Sequence, residues 1–180
     1  MTSFYTELEL KDLGLKSYGN NVLISRNTQL YSAEKITIGN NVRIDDYCIL
    51  SGDITLGSHI HIAPYCVLYG SHGIELEDYT GLSARVTVYS AIDDFNGDFL
   101  TGSVHDYSMR NLIKGKVIFN KFVQIGAGCI IFPNLIIGEG SAIGSMSLVN
   151  KSIDKWGIYV GIPVRRLKNR SSGLLNFFEK

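Results

Sequence analysis

The chain has 180 residues, 45% of them hydrophobic, with 17 Lys and Arg set against 17 Asp and Glu. That length supplies one domain's worth of continuous core. The balanced charge offers no field for nucleic acid or an anionic membrane. The start MTSFYTELEL lacks the basic residues and apolar run of a secretion signal, and no segment approaches the ~20 apolar residues of a membrane span, so a cytoplasmic protein is expected. The three cysteines fit small buried thiols in a reducing compartment, and no pair has zinc-finger spacing.

In chain order, Ser3 is placed to cap a short helix over residues 4–13, with Glu7 and Glu9 in its first turns and Gly14 as its stop. Phe4, Leu8 and Leu13 are expected on its packed face. Residues 1–16 then form a cap over the open strand edge of the first repeat.

From about Tyr18 a different periodicity takes over. The segments KITIGNNVRI, DITLGSHIHI, GIELEDYTGL, KVIFNKFVQI and NLIIGEGSAI begin on Ile36, Ile54, Ile74, Val117 and Leu135, and Ile153 comes next. The steps are 18, 20, 43, 18 and 18 residues. Within the later part, apolar residues recur every six positions: Phe119, Ile125, Ile131, Ile137, Ile143 and Val149. The residues four places after each are Val123, Cys129, Leu135, Ser141, Ser147 and Ile153, all small or aliphatic. A period of six matches neither a helix nor a plain strand. It fits short strands joined by tight corners, three sixes making a triangular coil of 18 residues that stacks on the next. Gly39-Asn40-Asn41, Gly57-Ser58, Glu77-Asp78 and Gly138-Glu139-Gly140 fall at corners, where glycine and asparagine tolerate left-handed angles. Cys48, Cys66, Val86, Cys129 and Ser147 are predicted to form one buried column.

The step of 20 admits a two-residue bulge, and the step of 43 is one coil plus an excursion from about residue 90 to 116. The excursion, SAIDDFNGDFLTGSVHDYSMRNLIKG, is long and polar and holds Asp93, Asp94, Asp98, His105 and Asp106, as a functional loop does. The coils run over 17–163. Residues 164–180 give a basic turn and a short amphipathic helix that covers the far end.

These repeats, with IGAGCIIFPNLIIGEGSAIGSMSLVNKS and the closing GIPVRRLK, resemble the hexapeptide-repeat acyltransferases over roughly residues 18–168. The resemblance is nearest to the galactoside and maltose acetyltransferases and to the enzymes that acetylate sugars of surface polysaccharides. It implies an all-β fold, a left-handed parallel β-helix of hexapeptide repeats with short terminal helices and one long loop. It also implies a homotrimer with acetyl-CoA as co-substrate in a cleft between subunits, and a sugar or nucleotide-sugar acceptor. Carried over residue by residue, the cofactor contacts are Ala127, Ser145, Asn150, Lys151, Arg165 and Lys168. Small residues at Ala127 and Ser145 let a pantetheine arm reach backbone amides, and the cations meet phosphates. Trp156, Tyr159 and Phe132 are candidates to contact adenine.

The catalytic base departs from the family pattern. Where those enzymes place a histidine after the strand that precedes the loop, RVTVYSAIDD has Asp93. His72, one coil back, is predicted to pair with Asp93; His105 on the loop, and Asp93 or Asp94 alone, are the alternatives. A carboxylate is a poor base for a hydroxyl but adequate for an ammonium, so an amino sugar is the favoured acceptor. The rivals are a sugar hydroxyl, another small acceptor or acyl chain, and a non-catalytic assembly protein. His59 and His61 alternate outward on one strand and read as surface, and no metal is expected.

Overall fold

Each repeat turns two side chains inward on a short strand, and strands from successive coils pair edge to edge. In the computed structural model, which describes residues 3–178, this generates three parallel faces of a β-helix. The first face includes Ile36–Ile38, Val117–Phe119 and Ile136–Ile137. The second stacks Val22–Ile24, Val42–Ile44, Ile60–Ile62, Gly81–Leu82, Gln124–Ile125, Ala142–Ile143 and Gly157–Val160 in that order. The third includes Gln29–Tyr31, Thr87–Tyr89, Ile130–Ile131 and Leu148–Val149. Ile49–Leu56 and Val67–Leu76 run round the corner from third face to first and join those two into one sheet.

The predicted columns are present. Ile36, Ile54, Ile74 and Val117 lie in register, and Ile118 pairs with Ile136. The two extra residues of the 20-residue step fall between Gly70 and Ile74, a bulge that carries His72. The last step differs: Ile153 bridges to Ile137 instead of lying under Leu135, because the final coil is two residues shorter, as the pairing of Ala142 with Ile158 also shows. The interior column of Cys48, Cys66, Val86, Cys129 and Ser147 is buried throughout. Its side chains do more than fit. Cys48, Cys66 and Cys129 donate their thiols to the carbonyls of Ala63, Ser83 and Gly144 on the next coil, and the Thr28 hydroxyl does the same to Asp45. Burial thus leaves those corner carbonyls paired.

The corners correct the glycine argument. The left-handed positions between first and second faces are Asn21, Asn41, His59, Tyr79, Phe122, Gly140 and Trp156, mostly bulky residues. Each bulky left-handed residue costs ~1–2 kcal/mol. Stacking offsets much of this at ~0.5–1.5 kcal/mol per pair: His59 lies on Tyr79 at 4.6 Å and Tyr79 on Phe122 at 5.2 Å. Gly39 serves another purpose, since a Cβ there would sit 2.5 Å from the Gly57 carbonyl oxygen of the next coil.

Both ends differ in detail from expectation. The helix, α1, spans Glu7–Asp12 and is capped by Thr6 in a capping box with Glu9, not by Ser3. It buries Leu10 and leaves Leu8 exposed. The tail opens with the strand Arg165–Asn169, antiparallel to Gly157–Val160, so it covers the last edge with a strand and not a helix. A 3-10 turn, Gly173–Phe177, comes next, and Phe178 packs on Tyr79 and Phe122 along one corner. Arg170 fastens the tail by donating to the carbonyls of Phe122, Gly140 and Ser141.

Core and cap can be probed separately. Cys66→Leu, which adds bulk to the column, will lower stability by ~1–3 kcal/mol in urea unfolding, whereas Cys66→Val, matching Val86, will cost about 1 kcal/mol for the unpaired Ser83 carbonyl. The Arg26 guanidinium, with the Thr6 amide behind it, holds the Glu9 carboxyl down at about 2 against an ordinary 4.5. A depressed carboxyl stabilises fully above its unfolded value and loses that contribution as pH falls through the folded one. The Leu10 amide, bonded to the Thr6 carbonyl, will therefore lose hydrogen-exchange protection between pH 4.5 and about 2, ahead of the coils.

Candidate functional site

Two corners hold the candidate residues. At the corner from second face to third, backbone stacking aligns Ser25, Asp45, Ala63, Ser83, Gly126 and Gly144 in one column. Asp46, Pro64, Ala84, Ala127 and Ser145 form the column beside it. From Ser83 onward the two columns hold only small residues, and a Cβ at Gly126 would lie 2.5 Å from the Ser145 amide nitrogen. The result is a narrow track with accessible backbone. Ala127 and Ser145, predicted apart in sequence as cofactor contacts, are neighbours on it. Arg165 lies past its lower end, opposite Val160 in the terminal strand pair, and Lys168 lies opposite Ile158. Asn150 and Lys151 are exposed across the third face, at the other corner. Among the described residues, none of Lys151, Arg165 and Lys168 makes an ion pair.

The upper end of the track opens into a groove of about 220 Å³ lined by His61, Ala63, Gly81, Ser83, Ala84 and Gln124. His61 is not a bare surface residue. Its Nε2 lies 2.7 Å from Asp45 Oδ2, and the Arg43 Nε donates to the other carboxylate oxygen at 2.6 Å. Burial raises the Asp45 pKa, but the bonds from His61 and Arg43 outweigh it and hold the carboxyl below its usual range. A ridge flanks the groove, with Tyr47 stacked on Tyr65 at 5.1 Å and the Arg85 guanidinium over the Tyr65 ring.

The excursion leaves from the corner between third and first faces. Its root is a ribbon, Ala91–Asp93 antiparallel to Leu112–Lys114, not loose loop. Asp93 accepts from Arg110 Nη2 and from the Gly102 amide, each at 3.1 Å. Both charged side chains are largely buried, and the Arg110 Nε is buried without a partner. They border a cavity of about 510 Å³ together with Ser51, Tyr69, Tyr89 and Ser103. The predicted His72–Asp93 pair is not formed. His72 Nδ1 lies 3.1 Å from the Ser71 hydroxyl, its amide donates to Ser90 Oγ, and Asp93 is occupied by Arg110. Asp94 closes the turn: the Asn96 amide foremost and the Asn111 side chain hold its carboxyl below the usual range. His105 is exposed at the tip. Tyr159 is core, with little surface to offer a ligand, and Trp156 packs over Gly140 at a different corner from the track. Among the described residues no group of His, Cys, Asp and Glu is arranged to hold a metal, and no helix is long and apolar enough to cross a membrane.

Sequence reasoning missed Ser83, the Asp45–His61 pair and Arg110. The first two were accessible in principle: Asp45 and His61 are separated by about one coil, the distance at which outward residues of adjacent coils meet.

Comparison with known proteins places these features. The family described as "Bacterial transferase hexapeptide (six repeats)" matches residues 35–70. A dTDP-4-amino-4,6-dideoxy-D-glucose acyltransferase from Escherichia coli is 38% identical over 96% of this chain and 92% of its own. The structure of AntD, an N-acyltransferase from Bacillus cereus, in complex with dTDP and 3-hydroxybutyryl-CoA is 52% identical, covers 99% of this chain and 95% of its own, and superposes with a TM-score of 0.97. A variant of AntD has been solved with dTDP-4-amino-4,6-dideoxyglucose and coenzyme A. A maltose O-acetyltransferase from Clostridium difficile, 24% identical with a TM-score of 0.60 over 92% of this chain and 75% of its own, shares the fold alone. The chain is an acyltransferase of the hexapeptide-repeat family and belongs, within it, with the acyltransferases of dTDP-linked amino sugars.

Proposed function

We propose that this protein transfers an acyl group from acyl-CoA to the amino group of a dTDP-linked 4-amino-4,6-dideoxy sugar, as a cytoplasmic homotrimer. The observation that carries this reading is the placement of Ser83 and Asp93. The solved AntD variants replace either a serine or an aspartate, ten positions apart. Ser83 and Asp93 are the one serine–aspartate pair in this chain with that order and spacing. They stand at opposite edges of the third face, one on the stiff track and one on the excursion. A β-helix cannot fold corner onto corner, so the two meet only when the excursion of one copy reaches the track of the next.

The chemistry agrees with an amine. An ordinary carboxylate titrates near about 4 and cannot deprotonate a sugar hydroxyl effectively. Asp93, already bonded to a guanidinium and an amide, is suited to hold a substrate ammonium or amine by its remaining lone pairs. On the track, Ala127 and Ser145 let a pantetheine arm lie against the backbone, and Lys151, Arg165 and Lys168, with Asn150, take the nucleotide end of the cofactor. CoA supplies the acyl group as a thioester. The amine attacks the thioester carbonyl, and corner amides receive the charge that develops on oxygen. The three thiols point into the core, which argues against an acyl-enzyme.

The test is thiol release from acetyl-CoA or 3-hydroxybutyryl-CoA with the dTDP-4-amino sugar and with its 4-hydroxyl counterpart. Release is expected with the amine alone; release with the hydroxyl alone overturns the reading. Asp93→Asn will lower kcat/KM ~10–100-fold, the loss expected for one charged hydrogen bond. The shared site has its own measurement. Mixing Ser83→Leu and Asp93→Asn chains, each impaired alone, in random trimers leaves about one site in four intact, so activity rises to roughly that fraction of wild type; no rise above the two separate variants after verified mixing excludes a site shared between copies.

A further inference from the structure

We propose that His61, held by Asp45, takes the proton from the acceptor nitrogen during acyl transfer. This rests on the amine reading above and adds a catalytic residue to it.

The track gives the direction. Arg165 and Lys168, which make no ion pair among the described residues, lie at the lower end, where the cofactor's phosphates belong. A pantetheine arm that starts there passes Ser145 and Ala127 and brings the thioester to Ser83 at the top. His61 lies in that same groove. It stands opposite Gly81, which offers no side chain, and Ser83 comes two residues later on the same strand line. The reacting carbonyl therefore arrives beside an imidazole.

The imidazole is prepared for one role. Asp45 is largely buried, fastened by Arg43, and kept ionised in preference to neutral, so it only accepts hydrogen bonds. Its contact with Nε2 fixes the proton on that nitrogen. Nδ1 is left as the lone pair of the ring, with no partner among the described residues. An orienting carboxylate on one nitrogen and a free lone pair on the other is the arrangement a general base needs. The charged groups packed against the ring are Asp45 and Arg43; Gly81, Ser83 and Gln124 are neutral.

His105 lies exposed at the tip of the excursion, away from the groove of its own chain, and the remaining candidates are engaged elsewhere. Asp93 carries Arg110 and the Gly102 amide, and Asp94 closes a turn. His72 shares Nδ1 with Ser71 in the bulge, and His59 is stacked on Tyr79 at the opposite corner. In the step itself the neutral amine forms the N–C bond to the thioester carbonyl. The proton then on nitrogen moves to His61 Nδ1 as the C–S bond breaks. The CoA thiolate leaves and takes that proton from the imidazolium, giving amide and free thiol with the ring restored.

The test uses the full-length protein and the dTDP-4-amino sugar. His61 is half-exposed, so His61→Gln is expected to assemble and bind CoA as wild type does. Its kcat will fall ~10²–10⁴-fold, the usual range for a lost general base. His61→Gly will fall similarly and recover in proportion to added imidazole, which a merely structural histidine would not show. Wild type that acylates the amine while His61→Gln keeps kcat within about threefold, or His61→Gly that is not rescued by imidazole, overturns this assignment and leaves the amine reading standing. Wild type that releases no thiol with any dTDP-linked amine overturns both.

Discussion

Every coil of this protein must sit squarely on the one before it, because the interior is only wide enough for one layer of aliphatic side chains per turn. Leu50, Leu68 and Val88 on one face, and Ile44, Ile62 and Leu82 on another, are buried in register with little or no exposure. A slip of one residue would turn these side chains out and polar ones in. The corners are where that constraint is hardest to meet, since tight turns leave carbonyls aimed inward. Thr28, Cys48, Cys66 and Cys129 resolve it by donating to the carbonyls of Asp45, Ala63, Ser83 and Gly144. Those four acceptors belong to the outer column that carries the candidate site. The core thus holds the backbone of the candidate site in place from behind.

This explains which features were legible in the chain and which were not. Inward residues repeat with the coil, so Ile36, Ile54, Ile74 and Val117 disclose the fold and even the position of the excursion. The cysteine column was visible as a run of small residues; its donor role was not, because it depends on which carbonyl lies across from each thiol. Left-handed corners filled by His59, Tyr79 and Phe122 run against local preference. The compensation is a ring in the next coil, 20 or 43 residues away. α1 failed at the level of register: Leu8 and Leu10 are equally apolar, and only the docking angle decides that Leu10 faces the first coil. The last coil loses two residues where the antiparallel tail strand takes over its edge, a tertiary effect with no local signature.

The candidate base shows the same limit more sharply. Asp93 does lie at the root of the excursion, on the ribbon strand Ala91–Asp93. The partner assigned to it was wrong, because stacking one coil on another says where His72 is but not what else reaches Asp93. Arg110 returns along the ribbon and takes that place at 3.1 Å. The ion pair is mostly withdrawn from solvent, where leaving either charge alone is costly, so the pair is retained as a unit. A carboxylate so fixed is an anchor for positive charge. The substitution that seemed to remove the base instead moves the question of the proton to another corner.

In the proposed reaction two corners with different mechanics divide the work. The excursion is inserted where the 20-residue step already carries its bulge, and the coil resumes at Val117 in register with Ile74, so its sequence can vary without disturbing the stack. Acceptor recognition placed there can change with the sugar. The opposite corner has no such freedom: its residues are backed by buried donors and spaced by the coil, which suits the invariant half of the reaction, the thioester and the transfer of a proton. On the proposed function, a stiff prism that keeps these corners apart makes a second copy necessary for a complete site, and assembly a condition of activity and not only of stability.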